Sequence, residues 1–385
     1  MSALEPYPYD RLAELQGLAA AHPEGAVDLS IGTPCDPPPE VVEAALARAE
    51  GLPGYPPSAG TPEARAAAAD WMARRFDVRV EPGQVGLCVG TKELVATVPW
   101  LLRQRRPERD LVLCPAVAYP TYAMGARLAG CRVLAIPEGP GGRPNWGALS
   151  SETLRRALLI WVNSPANPSG ALTDLEEAAA FARAAGVPLF SDECYVELTW
   201  QGPPRTVLAG GAEGVVAVHS LSKRSNLAGL RVGCFAGDPG LVGELVQLRR
   251  HLGMMVPAPA QAAAVAAWAD DEHVALQRDR YRRRLERLAG ALEAAGAPVE
   301  LPAGGFYLWV PAPAAARGDA WVLARALARA AGIVGSPGDL YGERPARHLR
   351  LAVVVPDERL EAVARRLEKL GPTGLAEVLA ADQEA

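Results

Sequence analysis

Three lysines, Lys92, Lys223 and Lys369, stand among the 39 lysines and arginines of this chain. A surface cation tolerates exchange of lysine for arginine. A primary amine that must attack a carbonyl does not, because guanidinium stays protonated and is a poor nucleophile. The retained lysines are therefore the first places to look for amine chemistry. Lys223 lies in Ser220-Leu-Ser-Lys-Arg-Ser-Asn-Leu-Ala-Gly-Leu-Arg-Val-Gly233, directly after the apolar run Gly214–His219. That reads as a strand ending in a hydroxyl-rich turn, with Arg231 beyond it. Lys369, in the helical pattern Leu360–Leu370, reads as a solvated surface charge.

The elements that must position such an amine follow from periodicity. Short β-rich runs at Val85–Val89, Leu111–Pro115, Arg132–Ile136, Leu158–Asn163, Val187–Ser191, Val215–His219 and Val232–Ala236 alternate with longer Ala/Leu/Arg/Glu segments. Several runs are apolar throughout, as expected for strands covered on both faces. The pattern predicts an α/β fold with a mainly parallel seven-stranded sheet over residues 46–265. Thr173-Asp-Leu-Glu176 predicts a capping box, with Gly186 stopping the helix it opens. A helical stretch, Gln261–Ala295, is broken by Asp270-Asp271-Glu272, and Phe306–Val310, Ile333–Gly335 and Leu349–Val355 read as further strands. Residues 266–385, joined by the Pro-rich head within 1–45 (Pro34, Pro37, Pro38, Pro39), are expected to form a second, smaller α/β domain.

Composition narrows the partners. Hydrophobic residues make up 49% and the net charge is −5, which gives no reason to expect nucleic acid or an anionic membrane as partner. The six cysteines (Cys35, Cys88, Cys114, Cys131, Cys194, Cys234) lack CxxC spacing and read as buried free thiols of a reducing compartment. The five histidines lack metal-ligand spacing, so no metal is expected. No run of 18 apolar residues and no N-terminal apolar leader occur, and the expected location is the cytoplasm.

In open α/β sheets ligands bind beyond the carboxyl ends of strands. The first such end carries Gly90-Thr91-Lys92-Glu93 entering a helix, where free N–H groups and the helix dipole suit a phosphate, although most Gly-Thr helix starts are only caps. The next carries Ala118-Tyr119-Pro120-Thr121-Tyr122, a ring at the sheet mouth or a core aromatic. Asn163-Ser-Pro-Ala-Asn-Pro-Ser-Gly170 is a stiff turn able to aim the Asn167 amide inward. Ser191-Asp192-Glu193-Cys194-Tyr195 leaves a strand-end carboxylate that needs a partner: a protonated ring nitrogen, an arginine or a helix cap.

In their joint order these strings resemble the fold-type-I, pyridoxal-phosphate-dependent aminotransferases, the aspartate aminotransferase superfamily, over nearly the whole chain. The resemblance implies that Lys223 carries pyridoxal 5'-phosphate and moves the substrate's proton, that Asp192 keeps the pyridinium nitrogen protonated, and that Tyr195 and Asn167 hydrogen-bond the phenolic oxygen. It implies a phosphate seat of Ser220, Ser222, Arg231 and the Gly90–Thr91–Lys92 backbone, and a ring stacked on the cofactor from Tyr119. Tyr55, in Gly54-Tyr-Pro-Pro-Ser-Ala-Gly60, would reach the phosphate of a second copy, which implies a homodimer. Arg350 in His348-Leu-Arg-Leu351 would grip the substrate α-carboxylate, with Gly32 donating from its backbone. The substrates implied are an amino acid and a 2-oxo acid. Ser164 and Ser169 depart from the family's usual Asn-Pro-x-Asn-Pro-Thr-Gly without touching Asn167.

His219-Ser-Leu-Ser-Lys-Arg-Ser-Asn-Leu-Ala-Gly229, Ser191-Asp-Glu-Cys-Tyr195, Gly90-Thr-Lys-Glu-Leu94 and Met254-Met-Val-Pro-Ala-Pro259 are similar to the bacterial N-succinyl-diaminopimelate aminotransferases of lysine biosynthesis. That resemblance implies transfer between glutamate and N-succinyl-2-amino-6-ketopimelate. An aminotransferase of aspartate, aromatic or aliphatic amino acids, or a C–S lyase on the same fold, is the alternative. A transcription regulator on this fold is not expected, since only a short stretch precedes Gly32. Lys92 is expected either to meet the distal succinyl or carboxylate group of the long substrate, or to pair with a surface acid.

Overall fold

The computed structural model describes residues 7–49, 54–139, 143–342 and 346–384. Twelve strands are formed among them. β1 is Val27–Asp28, β2 Val85–Cys88, β3 Leu111–Pro115, β4 Arg132–Ile136, β5 Ala157–Asn163 and β6 Leu189–Asp192. β7 is Val215–Ser220, β8 Gly233–Gly237, β9 Tyr307–Pro311, β10 Ile333–Val334, β11 Ser336–Pro337 and β12 His348–Ala352. Seven of them form the expected sheet, in the order β2-β8-β7-β6-β5-β3-β4. Only β8 runs against its neighbours, pairing antiparallel with both β2 and β7. β5, β6 and β7 are buried at every position, which is why their sequences are continuously apolar rather than alternating.

Two of the expected local features move. The sixth strand starts at Leu189 rather than Val187, because the Val187 N–H still bonds back to Ala182 O of the preceding helix (3.1 Å). That helix is capped by Asp174, whose Oδ1 accepts from Glu177 N (3.0 Å), so the cap sits one residue beyond the expected Thr173. Thr173 instead donates its N–H to Ser164 Oγ, tying the cap to the Asn-Pro turn. Gly186 ends the helix in the left-handed conformation (φ 60°). The acidic break separates the helices Ala258–Ala269 and Glu272–Ala294.

The core divides in two. One part, flanking the seven-stranded sheet, is drawn from residues 42–268. The other gathers Leu12–Leu29 and Tyr281–Leu379 around β9, β12 and the helix Ala320–Ala331, with Tyr195 and Leu198 reaching in from the first. The Pro-rich head is pinned to the second by Asp36, which accepts two bonds from Arg284 (2.8 and 2.9 Å). Cys88, Cys114, Cys131 and Cys234 are buried and Cys35 is exposed, all unpaired. Among the described residues no group of His, Cys, Asp and Glu could hold a metal ion, and no helix is long and apolar enough to cross a membrane.

Candidate active site

Beyond the carboxyl ends of β5, β6 and β7 lies a cavity of about 300 Å³, closed on its far side by β9, β12 and the loop Ile31–Thr33. Asn163, the last residue of β5, fixes its floor. Its Nδ2 donates to Asp192 O (2.8 Å) and its Oδ1 accepts from Asn167 N (2.7 Å), which holds the Asn-Pro turn against the end of β6.

Asp192 ends β6 and is 7% exposed. Its Oδ2 accepts from Tyr122 OH (2.8 Å) and its Oδ1 from Cys194 N (3.2 Å). Among the described residues no arginine pairs with it. Burial therefore dominates and raises its carboxyl above the usual range. A buried carboxylate held by two neutral donors is short of a cation.

Lys223 comes from the turn after β7. Ser220 Oγ accepts from Ser222 N (3.1 Å) and opens the single helical turn Leu221–Arg224, which aims the lysine into the cavity. Its Nζ donates to Gly32 O (2.6 Å). Burial lowers its pKa to about 8, so near neutral pH a useful fraction of the amine is free of its proton. The resemblance implies a Gly32 that offers its N–H; the group turned toward Lys223 is its carbonyl.

The anion seat is built on Gly90, the N-cap of the helix Thr91–Arg103, in a conformation (φ 73°) that suits only glycine. No side chain caps that helix, so its first amides stay free. A Cβ at position 90 would lie 2.2 Å from Arg231 Nη2, so the missing side chain is what lets the guanidinium cross the helix start. Ser220, Ser222 and Thr91 line the same end of the cavity. Free amides at a helix N-terminus, hydroxyls and a guanidinium are the donor set a phosphate requires.

At the opposite end Arg350 projects from β12 and is 2% exposed. Nη1 donates to Asn167 Oδ1 (2.8 Å) and Nη2 to Ser30 O. The guanidinium lies 4.3 Å from the Tyr307 ring centre and 4.9 Å from that of Tyr341. Its Nε is buried without a partner, and no carboxylate pairs with it among the described residues.

Lys92 stands at the mouth. Its Nζ donates to Tyr7 OH (3.2 Å) and lies 4.8 Å from that ring's centre. Burial works against its charge, but the oxygens of Tyr119 and Tyr7 outweigh it and its pKa rises. Among the described residues no acid pairs with it, so the surface ion pair is not formed. Tyr119 lines the cavity beside it, edge-on to Tyr122. Tyr195 also lines the cavity, its OH 2.7 Å from Tyr307 OH. Tyr55 is 94% exposed and does not reach the cavity of its own chain.

Every expected residue except Tyr55 thus lies in or against one cavity. The residues that sequence reasoning missed are Tyr122, Tyr307, Asn163 and the pair Tyr7 and Tyr9. Tyr122 stands in the string singled out for Tyr119, three residues on, its N–H bonded back to Tyr119 O (3.1 Å) just as the next helix starts. Tyr7 and Tyr9 carry no local signal, since Tyr9 meets Tyr341 OH across 332 residues of chain (2.9 Å).

The donor set fits pyridoxal phosphate: a free phosphate seat, a buried carboxylate lacking a cation, and a lysine of lowered basicity between them. Residues 24–367 match the family model for aminotransferase class I and II. The chain is 45% identical to the 4-dedimethylamino-4-oxo-anhydrotetracycline transaminase OxyQ of Streptomyces rimosus, over 95% of this chain and 100% of that one. It is 35% identical to an LL-diaminopimelate aminotransferase of Desulforudis audaxviator, over 94% and 95%. Among solved structures it resembles a probable N-succinyldiaminopimelate aminotransferase of Thermus thermophilus, with TM-score 0.81 and 31% identity over 94% and 99% of the two chains.

Proposed function

The chain belongs to the class I and II aminotransferases, and on that premise we propose that it moves an amino group between glutamate and N-succinyl-2-amino-6-ketopimelate. Aminotransferases of this fold use amino and keto acids, generally depend on pyridoxal phosphate and are usually dimeric. The observation that carries the reading is Arg350, a sealed guanidinium with an unpartnered N–H and no carboxylate of its own chain among the described residues. An amino or keto acid supplies that carboxylate.

Pyridoxal phosphate, when bound, supplies the carbonyl that takes the amino group and the ring that withdraws electrons from the substrate's Cα. Arg231, Ser220, Ser222 and the amides of Thr91 and Lys92 would hold its phosphate; the Gly90 N–H, expected among them, is taken by Cys88 O (2.8 Å). Asp192, oriented by Tyr122 and Cys194 N, would keep its ring nitrogen protonated. Asn167 and Tyr195 would hydrogen-bond its phenolic oxygen, and Tyr119 would cover its ring. Arg350 would orient the substrate so that its Cα proton faces Lys223, whose Nζ would take that proton and release it to the carbon two bonds away, across the amino nitrogen. Tyr55 would serve the site of a second copy. We read residues 46–265 as the cofactor-bearing domain and 1–45 with 266–385 as the smaller one, a reading supported by the divided core; residues 1–6, 50–53, 140–142, 343–345 and 385 lie outside the described ones. Val42, on the head's side of that division, packs with the first core.

For the long substrate the support is Lys92, a cation among phenols at the mouth, together with the strings shared with N-succinyl-diaminopimelate aminotransferases and the likeness to the Thermus structure. Identity to OxyQ favours a second reading, a keto acceptor carried on a fused ring system, for which the phenols of Tyr7 and Tyr119 are equally suited. The test adds single amino acids to cofactor-loaded protein and follows the visible absorbance. Glutamate and N-succinyl-diaminopimelate are expected to convert it. Conversion by aromatic amino acids alone would overturn the substrate assignment.

A further inference from the structure

Tyr307 lies outside the set that holds cofactor or substrate, yet it touches three parts of the site at once. Its Oη lies 2.7 Å from Tyr195 OH. Its ring lies beneath the Arg350 guanidinium, 4.3 Å from centre to carbon. A Cβ built on residue 32 would sit 2.1 Å from that same Oη, so the loop carrying the Lys223 acceptor closes directly onto it. Tyr307 is 1% exposed, held by β9, whose pairing sets Trp309 against Arg350 and Tyr307 against Ala352 of β12. The Oη therefore has little freedom to move: Tyr195 meets it on one side and the backbone of Gly32 on another.

We propose that Tyr307 is a positioning residue that couples the two ends of the site, setting the hydrogen bond that Tyr195 makes to the cofactor and the plane in which Arg350 meets the substrate carboxylate. This rests on the aminotransferase reading. The coupling follows from hydrogen-bond directionality. Tyr195 has one proton; if it donates to the cofactor oxygen, its own oxygen is left to accept, and Tyr307 is the donor within reach. A phenol that accepts one bond donates a stronger one. The ring acts separately: a flat π-face under a desolvated guanidinium holds its plane and favours its charge.

The two contributions separate in two variants. Tyr307→Phe deletes the hydroxyl and keeps the ring; Tyr307→Leu deletes both. A weaker bond from Tyr195 leaves more negative charge on the cofactor oxygen and strengthens its hold on the neighbouring proton. The pH midpoint of the bound cofactor's visible absorbance is therefore expected to rise in Tyr307→Phe by about half a unit to one unit, the worth of one neutral hydrogen bond. KM for glutamate should stay near the wild-type value. Tyr307→Leu should show the same rise and in addition a KM raised about three- to tenfold, from loss of the stacked ring. A merely structural tyrosine would lower the thermal midpoint without moving the absorbance midpoint. An unshifted absorbance midpoint in Tyr307→Phe overturns the proposal, as does a KM that rises equally in both variants. A wild-type protein that takes up no cofactor would instead defeat the aminotransferase reading itself.

Discussion

Arg249 and Arg350 are both sealed from solvent, at 0% and 2% exposure, yet their surroundings differ in kind. Arg249 lies behind the helix Thr91–Arg103 and grips Glu93 bidentately (2.6 and 2.9 Å), while the same carboxylate accepts from Val89 N. Its charge is neutralised by its own chain, and the product is a fixed helix start beneath the phosphate seat. Arg350 is surrounded by an amide oxygen, a carbonyl and two tyrosine rings, none of them anionic at neutral pH. A buried charge without a counter-charge costs stability that folding alone does not return. Where a chain closes its own ion pair the role is architectural. Where it leaves one half open, the other half arrives with a ligand.

The contrast breaks first at Arg350. Arg350→Met is expected to lower kcat/KM for glutamate by about 30-fold or more, because a desolvated charge pair in the bound state is worth roughly 2–5 kcal/mol. Its thermal stability should change little, since an uncompensated charge leaves with the side chain. Steady-state kinetics and thermal unfolding on the same preparation check both halves. Arg249→Met should do the reverse. It strands Glu93, which is 24% exposed and so partly rescued by water, and should cost about 2–3 kcal/mol of stability. The folded fraction should keep a KM for glutamate near the wild-type value. A large KM effect at Arg249 would erase the distinction.

Glu193 extends the comparison to a pair closed imperfectly. It is the neighbour of Asp192 but faces away from the cavity, its Oε2 3.6 Å from His219 Nε2. Burial pushes Glu193 up to about 7 and His219 down to about 4. From its ordinary 4.5 up to 7 the folded chain keeps a proton that the unfolded chain has released, so Glu193 costs stability as pH rises through that window. His219 acts oppositely between 4 and 6.5, where the unfolded chain binds the extra proton; the Glu197 carboxylate opposes the lowering and the Arg224 guanidinium adds to it. In the wild type the two largely offset. Glu193→Gln removes the falling limb, so its advantage over wild type should grow with rising pH, reaching on the order of 2 kcal/mol by neutrality. Chemical denaturation at a series of pH values reads it. A difference independent of pH would mean that Glu193 titrates normally.

The smallest effect is expected at the rim. Lys92→Ala should raise KM for N-succinyl-diaminopimelate and leave the glutamate half-reaction nearly unchanged, with about a ten-fold loss in kcat/KM for the long substrate alone. Equal losses for both substrates would make Lys92 part of the cofactor seat.

The floor of the site is legible in the sequence because each of its parts is local. Lys223 follows its strand and turn, Asp192 closes a buried run, and Asn167 stands in a turn stiffened by two prolines. The sheet itself is legible for the same reason, down to the strands Leu111–Pro115 and Arg132–Ile136. What escapes is what long-range packing decides. Tyr7 reaches Lys92 and Tyr9 reaches Tyr341 only because the head folds across the cavity. Gly32 O accepts from Lys223 Nζ while Tyr307 closes against the Gly32 Cα, contacts that no spacing within either string encodes. The antiparallel direction of β8 likewise depends on a short return after the Lys223 turn, not on the composition of the strand.

Of the three lysines, Lys369 is exposed on the last helix, Lys92 is held among phenols, and only Lys223 combines burial, lowered basicity and a place between a carboxylate and an anion seat. Borohydride reduction of the cofactor-loaded protein, followed by peptide mass mapping, tests that assignment directly. One reduced pyridoxyl adduct per chain is expected, on the peptide carrying Lys223, and none in Lys223→Arg. An adduct on Lys92 or Lys369, or a Lys223→Arg protein that still turns over glutamate, would contradict it.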